Sequence, residues 1–294
     1  MELIHAILYG IVQGLTEFIP VSSSAHLRIL PSIMGWSDPG TAFTAVIQLG
    51  TLLAVTVYFF DDLRRGISAW AKSILGKEKD NPDAKLGWAV FYGTIPIIVL
   101  GLALKDKIET TFRSLYIVGA ALIILGIVMF LSERLAQGKR KVDDVQPKDG
   151  IIVGLWQALA LIPGMSRSGS TISGALWAGF DRSSAARFSF LLSFPSILGS
   201  GLFELYKERK NLTGAMLTPT LVATVVSAVV GYAAIAFFMN FLKKRGIAPF
   251  VLYRIVLGAI IIFLVSSGRI PADAGADKKP ATAAAHVSQK ASHA

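Results

Sequence analysis

The 294-residue chain contains no cysteine, and few of its residues are charged. The first absence excludes disulfide bonds and metal or redox centres built on thiolates. The second absence is more informative, because only 16% of the residues are charged whereas 53% are hydrophobic, and the mean hydropathy is +0.58. A typical soluble domain has about 25% charged residues. The composition therefore predicts a protein that crosses a membrane several times.

The net charge of +10 does not indicate a nucleic-acid partner. Lysine and arginine occur in short runs between apolar stretches, without the interleaved aromatic residues that stack on bases. Such runs are typical of membrane-protein loops, where they set orientation. The N-terminus carries an acidic residue where a cleaved signal peptide carries basic ones, so we expect this segment to be retained.

Six apolar stretches approach the length of about 20 residues that a helix needs to cross the hydrocarbon core. They are 43–60, 88–104, 115–131, 188–205, 217–242 and 249–267. Two further apolar segments, 1–33 and 150–180, are interrupted by proline, serine and glycine, so neither could cross as one helix. Broken backbone is tolerated at membrane depth where it is buried in protein or lines a cavity. We therefore interpret both segments as re-entrant helix–loop–helix units.

The prediction is an all-α polytopic integral membrane protein with six transmembrane helices and two re-entrant segments. It forms a single membrane domain over residues 1–270, and residues 271–294 form a disordered tail that is rich in alanine, lysine and serine. Most loop lysines and arginines lie in 61–87, 132–149 and 243–245, which predicts that these loops are cytoplasmic. The loops 105–114 and 206–216 and both termini are then expected on the outer side.

The chain contains an internal repeat. GIVQGLTEFIPVSSS at 10–24 resembles GLWQALALIPGMSRS at 154–168, with one gap. Three membrane helices follow each copy, and an odd number inverts the second copy relative to the first. The repeats extend over about 1–132 and 148–268. An inverted repeat brings two broken helices together near the midplane, so we expect the two serine-rich loops to form one composite site.

The first loop gathers polar side chains in an apolar stretch. Gln13 and Glu17 are four apart and share one helix face, and a carboxylate at membrane depth needs a partner or a function. Pro20 ends the helix, and the side chains that follow it are Ser22, Ser23, Ser24 and His26. Together they could supply metal ligation, a nucleophile and a proton carrier. The alternatives are a structural hydrogen bond for Glu17 and a capping role for His26.

The second loop, PGMSRSGST at 163–171, is suited to an anion. Arg167 can pair with phosphate oxygens, and helix-start N–H groups and hydroxyls can hold them. The other polar or flexible positions of this loop are Gly164, Ser166, Ser168, Gly169, Ser170 and Thr171. Repeat two has Leu161 where repeat one has Glu17, so the acid and the arginine are divided between the copies. Gln48, Asn240 and Arg254 receive little weight, because they could bond neighbouring helices or, for Arg254, reach the interface.

On these residues the chain resembles the undecaprenyl-pyrophosphate phosphatases of bacterial membranes. Their first signature is an acidic residue or glutamine four positions before a glutamate, which Gln13 and Glu17 match in its glutamine form. PVSSSAH at 20–26 supplies the serines and histidine, and PGMSRSGST matches the second signature, PGxSRSxxT, at every fixed position. The resemblance covers about residues 1–268.

The resemblance implies hydrolysis of a polyprenyl pyrophosphate to the monophosphate and inorganic phosphate, which recycles the lipid carrier of cell-wall synthesis. It also implies a divalent metal, magnesium or calcium. Glu17 would either bind this metal or act as a base. Ser23 or His26 would be nucleophile or proton carrier, and Arg167 would clamp the pyrophosphate. The remaining substrate-binding residues would be Gln13, Gly164, Ser166, Ser168 and Thr171. Some family members have a second carboxylate where Gln13 stands, so a site that needs two acids is in doubt here.

The same resemblance places the protein in the bacterial cytoplasmic membrane, and we expect its active site to open to the outer side. The lipid substrate and the bilayer are the expected partners, and a homodimer through the glycine-rich helices is left open. A transporter or flippase of a phosphorylated lipid is the main alternative, because inverted repeats with broken helices are typical of alternating access. An intramembrane serine protease is a second alternative, although residues 166–169 read SRSG rather than GxSG. Metal-bound water could also replace the side-chain nucleophile.

Overall fold

The computed structural model describes residues 1–78, 80–136, 138–209 and 214–273, and the regular elements in these ranges are all helices. The α-helices are α1 (Leu3–Phe18), α2 (Ser23–Met34), α3 (Gly40–Tyr58), α4 (Phe60–Ile74), α5 (Pro82–Ala103), α6 (Lys105–Glu109), α7 (Leu115–Leu135), α8 (Pro147–Ala158), α9 (Arg167–Trp177), α10 (Arg182–Glu208), α11 (Leu217–Lys244) and α12 (Ala248–Ser266). The all-α prediction is confirmed. Residues 274–294 of the predicted tail, and 210–213 of the loop 206–216, lie outside the described residues.

The helices α5, α7, α10, α11 and α12 are each long and apolar enough to cross a membrane. The predicted span 43–60 corresponds to α3, which is followed after Phe59 by α4 at an angle of 83°. Six spans are present when α3 and α4 count as one bent span. The segment 61–87, interpreted from its charges as a loop, is therefore helical over more than half its length. The charged residues lie on a helix, α4, whose other face is buried and contains Gly66, Ala69 and Ser73.

Both predicted re-entrant segments are broken helices. The first consists of α1 and α2, with a break at residues 19–22, and the second consists of α8 and α9, with a break at 159–166. In each case the helix after the break starts directly after a serine with positive φ, 77° at Ser22 and 55° at Ser166. Each serine belongs to the serine cluster that follows Ile-Pro in its copy of the repeat. The sequence similarity therefore coincides with an unusual backbone conformation shared by both breaks.

Each re-entrant segment packs on a span from the other half of the chain. The principal neighbour of α1 is α11, and the principal neighbour of α8 is α5. Glycines allow the close approach: a Cβ added to Gly154 would lie 2.5 Å from the carbonyl oxygen of Gly93, and one added to Gly14 would lie 2.8 Å from the backbone nitrogen of Gly231. An inverted repeat would produce this reciprocal packing. The repeat limits, 1–132 and 148–268, stay a prediction.

Ion pairs join the start of α10 to α4, to α7 and to the segment before α8. Arg187 Nε donates to Asp62 at 2.9 Å and Arg182 Nε donates to Glu133 at 2.6 Å. The hydrogen bond from Lys141 to Asp181 raises the pKa of Lys141. None of these residues is a candidate for the site.

Candidate active site

Glu17 lies at the centre of the predicted composite site. Its side chain is only 5% exposed, and Oε1 accepts a hydrogen bond of 2.7 Å from Arg167 Nη2. The other oxygen, Oε2, accepts from Ser23 Oγ at 2.7 Å and from Gln13 Nε2 at 3.0 Å. One carboxylate therefore joins residues from both repeat copies, 150 positions apart in the chain. The predicted meeting of the acid and the arginine is present.

The helices explain why these four side chains converge. Gln13 and Glu17 lie one turn apart on α1, which ends at Phe18. Ser23 is the first residue of α2, and Arg167 is the first residue of α9. The two re-entrant helices thus start at opposite oxygens of the same carboxylate. Helix N-termini carry unpaired N–H groups and a partial positive charge, so this region attracts anions.

Two further loop serines, Ser24 and Ser168, join the two breaks to each other. Ser24 Oγ accepts from the backbone N–H of Gly164 at 3.3 Å, and Ser168 Oγ donates to the carbonyl oxygen of Glu17 at 3.2 Å. Ser166 Oγ accepts from the N–H of Gly169 at 3.1 Å and so caps α9. These bonds hold the two loops in register. They leave Ser23 as the loop serine that is bonded directly to the carboxylate.

Thr171 is bonded to α9 and α10 rather than to Glu17. It is one turn beyond Arg167 on α9 and is fully buried. Its Oγ1 donates to the carbonyl oxygen of Arg167 at 2.8 Å and is also bonded to Ser189 Oγ on α10. In this arrangement Thr171 fixes the first turn of α9, and thereby the base of the arginine side chain.

His26 is bonded to its own loop and to α12. Its Nδ1 lies 2.8 Å from the carbonyl oxygen of Ser22, and its Nε2 lies 2.6 Å from the hydroxyl of Tyr253. Both ring nitrogens are therefore bonded to groups other than the Glu17 carboxylate and Ser23. The histidine is close to the site but is not in the hydrogen-bonded group around Glu17.

Arg254 also belongs to the site, although neither sequence motif includes it. It neither reaches the interface nor serves only its neighbouring helices, because it is fully buried on α12. It donates to the carbonyl oxygens of Pro20 at 3.2 Å and Gly164 at 2.8 Å, one in each break. An arginine inside an apolar span is costly and usually functional, and that was the available signal. Its partners are backbone atoms, which no side-chain motif reveals.

A family model described as bacitracin resistance protein BacA matches residues 6–260. The chain belongs to this family. It is 50% identical over 282 residues to an undecaprenyl-diphosphatase of Chloroherpeton thalassium, covering 92% of this chain and all of that protein. It is 49% identical over 275 residues to an undecaprenyl-diphosphatase of a Nocardioides species, with 92% and 100% covered. A protein of Streptomyces avermitilis named undecaprenyl-diphosphatase 2 is 48% identical over 283 residues, with 92% and 97% covered.

The resemblance to BacA-type phosphatases implies a divalent metal, and the residues around Glu17 can be compared with the ligands that such a metal needs. Among the described residues no three acidic or histidine side chains form a cluster for a metal. Glu17 is accompanied by Gln13, whose Oε1 is buried and has no hydrogen-bond partner among the described residues. The repeat-two counterpart, Gln157, has its Oε1 bonded to Ser196 Oγ at 3.2 Å. Magnesium often binds through one or two protein oxygens together with substrate phosphates and water. The residues present fit a metal held in that way.

Proposed function

We propose that this protein hydrolyses a polyprenyl pyrophosphate, with undecaprenyl pyrophosphate as the natural form, to the monophosphate and inorganic phosphate. The observation that carries the proposal is the Glu17 carboxylate held between Ser23 and Arg167. It places a hydroxyl and a phosphate-binding cation each within hydrogen-bond distance of one base, between two helix N-termini. The names of the relatives agree with this activity. The reaction recycles the lipid carrier used in cell-wall synthesis.

Ser23 is the nucleophile in this proposal and Glu17 is its base. The Ser23 hydroxyl gives its proton to Glu17 Oε2, 2.7 Å away, as Oγ bonds to the terminal phosphorus. The bond from that phosphorus to the bridging oxygen breaks, and the prenyl monophosphate leaves. The monophosphate takes the proton from Glu17 as it leaves. Water then attacks the phosphorus of the phosphoserine and gives a proton to Glu17. The bond from phosphorus to Ser23 Oγ breaks, Oγ takes that proton back, and inorganic phosphate is released. Both oxygens of Glu17 already accept hydrogen bonds, which holds the carboxylate in the orientation that the first step needs.

Arg167 stabilises the charge on the transferred phosphoryl group. A guanidinium has five N–H donors, and among the described residues the Arg167 side chain donates from Nη2 to Glu17. Its other donors can bind phosphate oxygens in the two-point geometry that arginine favours. The N–H groups at the start of α9 add donors on the same side. The backbone of Gly164, Ser166 and Ser168 shapes this loop.

His26 suits a proton-carrying role better than a nucleophilic one. The bonds of Nδ1 and Nε2 to Ser22 and Tyr253 leave neither nitrogen directed at a phosphorus held by Arg167.

A bound magnesium or calcium ion, which Glu17 and Gln13 would hold, would neutralise charge on the pyrophosphate. Its Lewis-acid chemistry would add to that of Arg167.

The protein acts in the bacterial cytoplasmic membrane, with the site open to the outer side. The distribution of lysine and arginine supports this orientation, because the loops richest in these residues are placed in the cytoplasm. A prenyl tail stays in the bilayer while its pyrophosphate enters a polar, positively charged recess. A re-entrant site between two broken helices suits such an amphipathic substrate.

Phosphate release from a long-chain prenyl pyrophosphate by purified protein in detergent tests the proposal. Arg167→Ala is compared with Arg64→Ala, which changes an exposed arginine on α4. We expect release in magnesium or calcium, loss of release in chelator, and loss in Arg167→Ala but not in Arg64→Ala. Absence of release under every metal condition, together with binding of intact lipid, would instead favour the transporter. Peptide cleavage that persists in chelator would favour the protease.

A further inference from the structure

Tyr253 contacts His26 in a way that neither motif accounts for. The tyrosine lies on α12, 227 positions from the histidine, and its hydroxyl is 2.6 Å from Nε2. The two rings are nearly parallel, with 5° between their planes and 5.6 Å between their centres. A hydrogen bond and a ring contact together determine both the position and the tilt of the imidazole.

The partner of the other ring nitrogen defines where the proton of His26 is. A carbonyl oxygen can only accept, so Nδ1, at 2.8 Å from the Ser22 carbonyl, carries a hydrogen. In the neutral ring Nε2 is then the acceptor, and the Tyr253 hydroxyl donates to it. When the ring is protonated, Nε2 donates to the same hydroxyl oxygen. Tyr253 can therefore hold His26 in both protonation states.

The adjacent residue, Arg254, anchors the same turn of α12 to both breaks through the carbonyls of Pro20 and Gly164. The position of the tyrosine hydroxyl is thus tied to the loops that carry Ser23 and Arg167. Movement of α12 would displace His26 and both loops together.

We infer that Tyr253 is a positioning residue. The Ser22 carbonyl makes Nε2 the ring nitrogen that can take up a proton in the reaction, and the Tyr253 hydroxyl holds that nitrogen in place. The inference rests on the proposed function, because it assigns Tyr253 to the proton carrier of that site. It predicts that the hydroxyl, and not the ring, is what the reaction requires.

The test uses Tyr253→Phe, which removes the hydroxyl and keeps the ring. Tyr232→Phe is the matched control, because Tyr232 lies on α11 and is 45% exposed, against 46% for Tyr253. Diethyl pyrocarbonate acylates an unprotonated imidazole nitrogen, and mass spectrometry of the peptides reports the rate at each histidine. His5, which stacks on Trp36, serves as the internal reference. Steady-state phosphate release is measured on the same samples.

In Tyr253→Phe we expect acylation of His26 to be about tenfold faster with His5 unchanged, since one hydrogen bond that protects Nε2 is lost. We expect kcat to fall about tenfold with little change in KM, because the lost contact orients a proton carrier. Tyr232→Phe should change neither quantity. Unchanged acylation of His26 would overturn the inference whatever the activity, and so would faster acylation with normal kcat. Absence of phosphate release from the unaltered protein would refute the proposed function instead. The acylation rates would still show whether the Tyr253 hydroxyl protects Nε2 of His26.

Discussion

At the scale of single residues, the site is built around the buried carboxylate of Glu17, which uses nearly all its capacity to accept hydrogen bonds. A carboxylate in an apolar interior is stable only when it is paired and hydrogen-bonded. Glu17 receives one charged and two neutral donors, from Arg167, Ser23 and Gln13. A substrate phosphate can replace the carboxylate as the partner of the arginine. The resting ion pair therefore keeps the site formed before the substrate arrives.

Ser23→Ala should lower phosphate release by about 10³-fold or more, the scale at which loss of a nucleophile acts in covalent hydrolases. Acid quenching during turnover of substrate labelled at the terminal phosphorus should leave label on the peptide that contains Ser23. The comparison variant is Ser68→Ala, an exposed hydroxyl on α4 that should keep full activity and labelling. Normal turnover in Ser23→Ala, without labelled protein at any time, would exclude Ser23 as the nucleophile.

Arg254→Met should lower the free energy of unfolding by about 3 kcal/mol or more, because two buried carbonyls lose donors from a charged group. Phosphate release should be lost as well, since both breaks lose their common anchor. Thermal unfolding in detergent measures the first effect. Arg245→Met, an exposed arginine just before α12, is the control and should leave the midpoint unchanged. Equal midpoints for the two variants would show that the anchor contributes nothing.

The residues that could be predicted are those whose neighbours in sequence are also their neighbours in space. Gln13, Glu17 and Ser23 fall within eleven positions, and Arg167 stands among its own serines, so each cluster was visible as polar residues in an apolar chain. Arg254 and Tyr253 lie in an otherwise apolar span. Their partners are carbonyls and a ring 90 to 234 positions away. Only the packing of α12 brings them to the site.

At the scale of helices, breaks that contain proline were predictable and the bend between α3 and α4 was not. Pro20 and Pro163 lie in the breaks of the re-entrant segments, each beside a serine cluster, whereas Pro31, Pro96 and Pro195 lie inside helices. The α3–α4 bend occurs at Phe59, with φ −106° and ψ 28°, in a stretch with neither proline nor glycine. The amphipathic pattern of α4 makes the turn favourable, because its charged face cannot follow α3 through hydrocarbon.

The seam between α5 and α8 depends on the absence of side chains at the contact. Gly154→Ala should lower the unfolding midpoint, since the added Cβ would lie 2.5 Å from the Gly93 carbonyl oxygen and overpacking costs about 1–3 kcal/mol. Phosphate release should also fall, because α8 leads into the break before Arg167. Gly199→Ala, on α10 with no atom within 4 Å of the new Cβ, should be neutral or stabilising. A similar response of the two variants would mean that the seam is not tightly packed.

At the scale of the whole molecule, the site exists only when both halves of the chain are in place. The carboxylate comes from one re-entrant segment and the arginine from the other, and each segment packs on a span of the opposite half. Crossed packing of this kind makes stability and activity depend on the same contacts. The repeat in the sequence predicted that the two loops pair. The sequence could not predict which spans pack against them, because apolar helices of similar composition have similar hydrophobic patterns.

The absence of cysteine makes the orientation of the whole molecule directly measurable. Lys107→Cys lies on α6, in the loop expected outside, and Lys139→Cys lies between α7 and α8, in the loop expected in the cytoplasm. Both side chains are exposed, so each new thiol is the only target for a membrane-impermeant maleimide. In spheroplasts of a bacterial host we expect labelling at 107, and labelling at 139 only after permeabilisation. The reverse pattern would place the site's opening on the cytoplasmic side, and the charges of the loops would then not set the orientation.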